Sequence, residues 1–146
     1  MLKGIPKILP PALLKVLCEM GHGDTLVISD GNFPAESMGK DATVIRMDGH
    51  GVPEILDAIL QLFPLDTYVE KPVGLMQVVP GDTVETPIWD TYFDTVQKYD
   101  ARGKDAVDYI ERFAFYERAK HAYAIIATGE SALYANILLQ KGVVTD

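Results

Sequence analysis

The chain has 146 residues, 48% hydrophobic and 23% charged, which fits one globular domain over residues 1–146 with a sizeable core. A formal net charge of −8, with no uninterrupted basic cluster, excludes a nucleic-acid footprint and disfavours binding to an anionic membrane. A lone cysteine, Cys18, excludes an intramolecular disulfide, and the proline-broken start "KGIPKILPPALLK" reads as neither a secretory signal nor a membrane span, so a cytoplasmic protein is expected.

Apolar patterns then alternate between the two secondary-structure periods, with no linker, repeat or charge block between them. "PALLKVLCEMG" predicts a helix opened by Pro11 and stopped by Gly21, with Leu13, Leu17 and Met20 on one face and Cys18 as a small buried hydrophobe. "TLVISD" is a short continuous apolar run and predicts a buried strand; "ATVIRMDG" predicts another. "VPEILDAILQLFP" has helical spacing, with Ile55, Leu56, Ile59 and Leu62 or Phe63 facing inward. "VGLMQVVPGD" follows as strand and turn. "PIWDTYFDTVQKY" predicts an amphipathic helix with Ile88, Tyr92, Val96 and Tyr99 in step, and "ERFAFYERAKHA" a further helix. "YAIIATGE" reads as strand and turn, and "LYANILLQKG" as a closing extended segment. This alternation predicts a layered α/β/α domain with a largely parallel, mixed sheet. Ligands of such sheets sit beyond the carboxyl ends of the strands, where Asp30 falls.

His22 lies between two glycines in "MGHGD". An imidazole, with an ordinary pKa near ~6.5, gives and takes protons at neutral pH. The flanking glycines leave room for a ligand, although a helix-ending turn in which His22 caps carbonyls accounts for the same residues. Asp24 has the setting of a turn residue. Asp30 could orient His22, hold a hydroxyl, or simply form an Asx turn in "SDGN". These three residues lack the ligand spacing of a zinc site, and no metal or other cofactor is expected.

Arg112 and Tyr116 are four apart on a predicted helix and share a face suited to an anionic or polyhydroxylated ligand, or to plain solvation. Phe115, Ala119 and Ala122 form a separate packing stripe. In an extended segment Tyr134 and Asn136 point the same way and offer donors and acceptors for sugar hydroxyls. Asp66, in a turn after a helix, says nothing alone. "ATGE" is too short for a phosphate loop.

Taken together, "MGHGD", "SDGNFP", "FPLDTYVEKP", "ERFAFYERAKHAYAIIATGE" and "LYANILLQKG" resemble the fucose mutarotase and ribose pyranase family over residues 2 to 142, and "RFAFYERA" resembles the fucose branch. The resemblance implies an enzyme interconverting the α and β anomers of L-fucose. It implies His22 as proton donor, Tyr116 as a candidate to share the acid–base work, Asp30 as a substrate contact, and Asp66, Arg112, Tyr134 and Asn136 around the sugar. It further implies a ring-shaped homo-oligomer, commonly a decamer, with sites at subunit borders, where Tyr134 and Asn136 serve a neighbour's His22. One residue departs from the fucose branch: Ala135 stands where that branch often has glycine, as in ribose-type sequences, and this leaves the sugar preference open. A ribose-type pyranase and a non-catalytic sugar-binding ring are the rival readings.

Anomer exchange asks little of a protein. One proton leaves the anomeric hydroxyl while another reaches the ring oxygen, and no redox step is involved. General acid–base catalysis contributes about 10²–10⁴-fold, enough for a reaction that already proceeds in water.

Overall fold

The computed structural model describes residues 1–146. Each predicted apolar run becomes an element. The helices are α1 (Pro11–Glu19), α2 (Ala35–Met38), α3 (Val52–Leu60), α4 (Pro87–Tyr99) and α5 (Arg112–Lys120). The strands are β1 (Thr25–Ser29), β2 (Thr43–Met47), β3 (Val73–Met76), β4 (Val107–Ile110), β5 (Ala124–Thr128) and β6 (Ile137–Gln140). They form one six-stranded sheet in the order β2-β5-β1-β6-β3-β4. Neighbours pair in parallel except around β6, which runs antiparallel to both β1 and β3.

Helices cover both faces. Leu13, Val16 and Leu17 of α1, Ile55, Leu56 and Ile59 of α3, and Tyr92 and Val96 of α4 pack with Leu26, Ile28, Ile126 and Leu139 on one side of the sheet. Phe115 and Ala119 of α5 and Ala35 of α2 pack with Val27, Ile125 and Leu138 on the other. Strands covered on both faces must be apolar throughout, which is why β1, β3, β5 and β6 read as continuous apolar runs.

The two edge strands differ. On β2, Ile45 and Met47 are buried while Arg46 faces solvent, and on β4 only Val107 and Ile110 are buried. Charged residues on exposed edges discourage pairing with another chain. With Asp108 and Tyr109 exposed at its centre, β4 carries neither alternation nor a continuous run, and the sequence pattern does not reveal it. The 3₁₀ turn Gly103–Ala106 and the four-residue α2 escape the pattern for a related reason: each is about one turn long.

One packing expectation is corrected. Cys18 is exposed, because it lies about 100° round the helix from Leu17 and outside the Leu13–Val16–Leu17–Met20 stripe. At the end of α1, Met20 turns extended and terminates the helix one residue before Gly21. No helix is long and apolar enough to cross a membrane.

The glycine of "ATGE" has a structural reason. Leaving β5, Gly129 donates its N–H to the His50 carbonyl at 3.0 Å, and a Cβ there would stand 2.0 Å from the Asp48 carbonyl oxygen. Only glycine lets the exits of β2 and β5 lie this close. Gly129→Ala is expected to destabilise the chain by about 1–3 kcal/mol in urea unfolding, the usual cost of overpacking. Gly49→Ala, with open space at its Cβ, should stay within about 0.5 kcal/mol of the original chain.

Candidate functional site

The parallel strands all end on the same side of the sheet, and the segments leaving them build a cavity of about 280 Å³. Its lining includes Asp30 after β1, Arg112 and Tyr116 on α5, and Tyr134 and Asn136 just before β6. Five of the seven expected site residues therefore converge beyond the strand ends, in the region where ligands of open α/β sheets bind.

Asp30 is 6% exposed. Its Oδ1 accepts the Asn32 N–H at 3.0 Å, so the Asx turn suggested by "SDGN" exists alongside the cavity position. Burial pushes the Asp30 carboxyl above its ordinary pKa, and the N–H groups of Asn32, Ala135 and Phe33 partly offset that effect. The Asp30 N–H donates to Asn136 Oδ1 at 2.8 Å. That bond orients the amide and leaves its NH₂ donors for the cavity.

Glu111 caps α5 by accepting the Ala114 N–H at 3.0 Å, which sets Arg112 in the first helical turn. The Arg112 guanidinium lies 5.3 Å from the Phe113 ring centroid and 5.7 Å from that of Tyr116, and it donates to no protein acceptor. Arg112 lines the cavity, and its N–H donors are free for a ligand there. Phe33 packs against Tyr116 with ring centroids 5.7 Å apart and, with Met76, gives the cavity an apolar wall. Trp89 does not line the cavity.

Tyr134 and Asn136 face one cavity, though not by strand alternation. Tyr134 stands before the strand with a φ of 55°, in the left-handed region. Two residues of α4 hold this turn: Trp89 Nε1 donates to the Tyr134 carbonyl at 2.8 Å, and Tyr92 Oη to the Ala135 carbonyl at 2.7 Å. Ala135 is fully buried and outside the lining, so its methyl takes no space from a ligand.

His22 and Asp66 lie elsewhere. They meet at the amino-terminal end of β1, separated from Asp30 by at least the length of that strand, roughly 17 Å. His22 Nε2 is 3.0 Å from Asp66 Oδ1. Asp66 is 2% exposed and also accepts from the Tyr68 N–H at 2.9 Å and from Gln140 Nε2 at 3.0 Å. Burial alone would push its carboxyl up, but the Tyr68, His22 and Gln140 donors outweigh it and hold Asp66 below the ordinary carboxylate value. An ionised carboxylate only accepts, so Nε2 carries the imidazole proton and Nδ1 is left for other chemistry. The His22 side chain is 44% exposed and stands 5.1 Å from the Tyr68 ring. Within one chain, then, Asp66 rather than Asp30 orients His22, and the imidazole does not cap α1. Asp24 accepts the Gly21 N–H at 2.8 Å and serves the turn.

Sequence reasoning missed three contributors. Gln140 looks like an ordinary strand end, Trp89 like a core aromatic, and Asp82 like the last residue of a "PGD" turn, yet Asp82 lines the cavity. None carries a local signal, because each acts on a residue at least 45 positions away in sequence. No group of three or more His, Cys, Asp or Glu side chains is arranged to hold a metal ion.

Comparison with known proteins bears on this geometry. The chain is 52% identical to the fucose mutarotase of Danio rerio, over 98% of its own length and 94% of the relative's. The structure of FucU from Bifidobacterium longum superimposes with a TM-score of 0.97 at 71% identity, covering 98% of this chain and all of that one. The fucose mutarotase of Streptococcus pneumoniae in complex with L-fucose superimposes with a TM-score of 0.92 at 49% identity, covering 99% and 100% of the two chains. Residues 3–144 match the RbsD / FucU transport protein family, and the chain belongs to that family.

Proposed function

We propose that this protein is an L-fucose mutarotase, interconverting the α and β anomers by acid–base opening and closure of the pyranose ring. The observation that carries the reading is the likeness, at 49% identity and over nearly the whole chain, to a fucose mutarotase that binds L-fucose. The cavity fits such a ligand. Arg112 and the Asn136 NH₂ supply donors, Asp30 supplies an acceptor, and Phe33 and Met76 supply an apolar surface for the C6 methyl. A buried sugar hydroxyl left unpaired costs about 1–3 kcal/mol, so this density of partners favours binding.

In the reaction the anomeric hydroxyl loses its proton as the ring oxygen gains one. The bond between C1 and the ring oxygen breaks and C1 becomes an aldehyde, which rotates and closes on its other face. His22 is the proton donor of this scheme. Asp66 holds its Nε2–H, so Nδ1 first takes the proton of the anomeric hydroxyl, and the imidazolium so formed donates that proton to the ring oxygen. Tyr116, which lines the cavity and whose hydroxyl has no protein partner, shares the acid–base work in this reading.

His22 and the cavity occupy opposite ends of β1, so a complete site requires a second copy whose His22 enters the first copy's cavity. We infer a closed ring of copies, ten in the arrangement the family resemblance implies. Exposed aromatic and aliphatic side chains mark both ends: Tyr68, 78% exposed, beside His22, and Phe113 and Leu133, 65% and 52% exposed, near the cavity. Contact between copies would bury them.

His22→Gln should slow enzymatic exchange between the α and β anomeric proton signals of L-fucose by about 10²–10⁴-fold in NMR saturation transfer. An unchanged rate would remove His22 from the chemistry. Sharing of the site has its own test. When His22→Gln and Asn136→Ala chains, each inactive alone, are co-expressed, a border between a chain with intact His22 and one with intact Asn136 is complete. Random mixing should restore about a quarter of the original activity. No recovery in mixed oligomers would mean that each site lies within one chain.

A further inference from the structure

Tyr134 is held through both its backbone and its hydroxyl. Its backbone carbonyl accepts from Trp89, and the next carbonyl accepts from Tyr92, so the turn that presents it is pinned to α4. Its hydroxyl donates to Asp82 Oδ2 at 2.7 Å and accepts the Val79 N–H at 3.3 Å. A phenol has one proton to give, and here that proton is spent on a carboxylate. One acceptor position remains.

We propose that Asp82 is a positioning residue that commits the Tyr134 hydroxyl to accept a hydrogen bond from the sugar rather than to donate one. The inference rests on the fucose-binding reading above. Asp82 belongs to the irregular segment 77–86 between β3 and α4, and the fold fixes its direction twice. Its N–H donates to the Val79 carbonyl at 3.0 Å, closing the turn around Gly81, and its Oδ1 accepts the Val84 N–H at 3.3 Å. Oδ2 is thereby aimed at Tyr134. The bond is felt at the phenol, whose pKa is pushed above its ordinary value chiefly by the hydrogen bond to Asp82.

The consequence is a division of labour. Arg112 and the Asn136 NH₂ group can only donate, whereas the buried Asp30 carboxylate accepts. A sugar hydroxyl does both, so a ring of hydroxyls needs acceptors as well as donors. Tyr134, steered by Asp82, supplies a second acceptor on the α4 side of the cavity. A tyrosine left free to rotate could present its proton to the same hydroxyl and turn the sugar's own donor toward an empty direction.

L-Fucose is the probe, and the variants are Asp82→Ala, Asp82→Asn, Tyr134→Phe and the double variant Asp82→Ala/Tyr134→Phe. Asp82→Ala should raise KM for fucose by about five- to tenfold, with a smaller effect on kcat. Adding it to Tyr134→Phe should cause no further loss, because its effect passes through that hydroxyl. Asp82→Asn, which keeps a weaker acceptor, should fall between Asp82→Ala and the original chain. The chain has seven tyrosines, so the phenol is read from ultraviolet titration differences against Tyr134→Phe. The Tyr134 titration should move to lower pH in Asp82→Ala. If Asp82→Ala leaves both the titration and KM unchanged, or if its effect simply adds to that of Tyr134→Phe, as a collapsed loop would, the proposal is overturned. If the original chain neither binds nor accelerates exchange of L-fucose, the functional reading falls and takes this inference with it. The titration alone then still reports whether Asp82 holds the phenol, which keeps the two failures distinct.

Discussion

The antiparallel strand β6, wedged between β1 and β3, is the constraint on which the polar geometry depends. A parallel strand in that slot would carry its leading segment to the opposite end of the sheet. Running backwards, β6 delivers Tyr134 and Asn136 to the carboxyl ends of β1 and β3, beside Asp30 and the segment after Met76. Its far end sets Gln140 against Asp66. One four-residue strand thus ties both polar clusters to the same rigid sheet, and side chains carried by regular elements hold position better than those on free loops.

The two clusters also set their carboxylates apart electrostatically. Asp30 and Asp66 are both nearly inaccessible to solvent, yet their proton affinities move in opposite directions. At Asp30 desolvation prevails over a few backbone donors. At Asp66 the backbone N–H of Tyr68 and the side chains of His22 and Gln140 together outweigh the effect of burial. Divergent environments of this kind separate acid, base and binding roles among identical side chains. An ionised Asp66 suits the orientation of an imidazole, and a buried Asp30 facing a cavity suits the capture of a hydroxyl.

The sequence disclosed most of the frame, because a strand covered on both faces and a helix covered on one must each repeat apolar residues at its own period. The core of α1, the inward residues of α3 and the four central strands were legible for that reason. β4 was not, since an edge strand with two exposed central residues satisfies neither period. Cys18 was misread because a position one residue past the apolar stripe looks buried in a linear string. The cavity residues Arg112 and Tyr116 were legible as an i,i+4 pair on α5. Tyr134 and Asn136 were paired correctly for an incomplete reason, since the left-handed turn at Tyr134, not strand pleating, aims the first of them. That His22 meets Asp66, and that Asp82 meets Tyr134, depends on contacts across 44 and 52 positions, and no local pattern encodes them.

In the proposed reaction, the tautomer of His22 follows from this arrangement. Asp66 is acceptor-only while ionised, and its three donors keep it so, hence the imidazole retains its proton on Nε2. Protons exchanged with the sugar must then pass through Nδ1, the nitrogen that faces away from Asp66. Replacing Gln140 would loosen the ring's orientation through Asp66. The strand that carries Asn136 to the cavity thus also supports, through Gln140 and Asp66, the orientation of the imidazole.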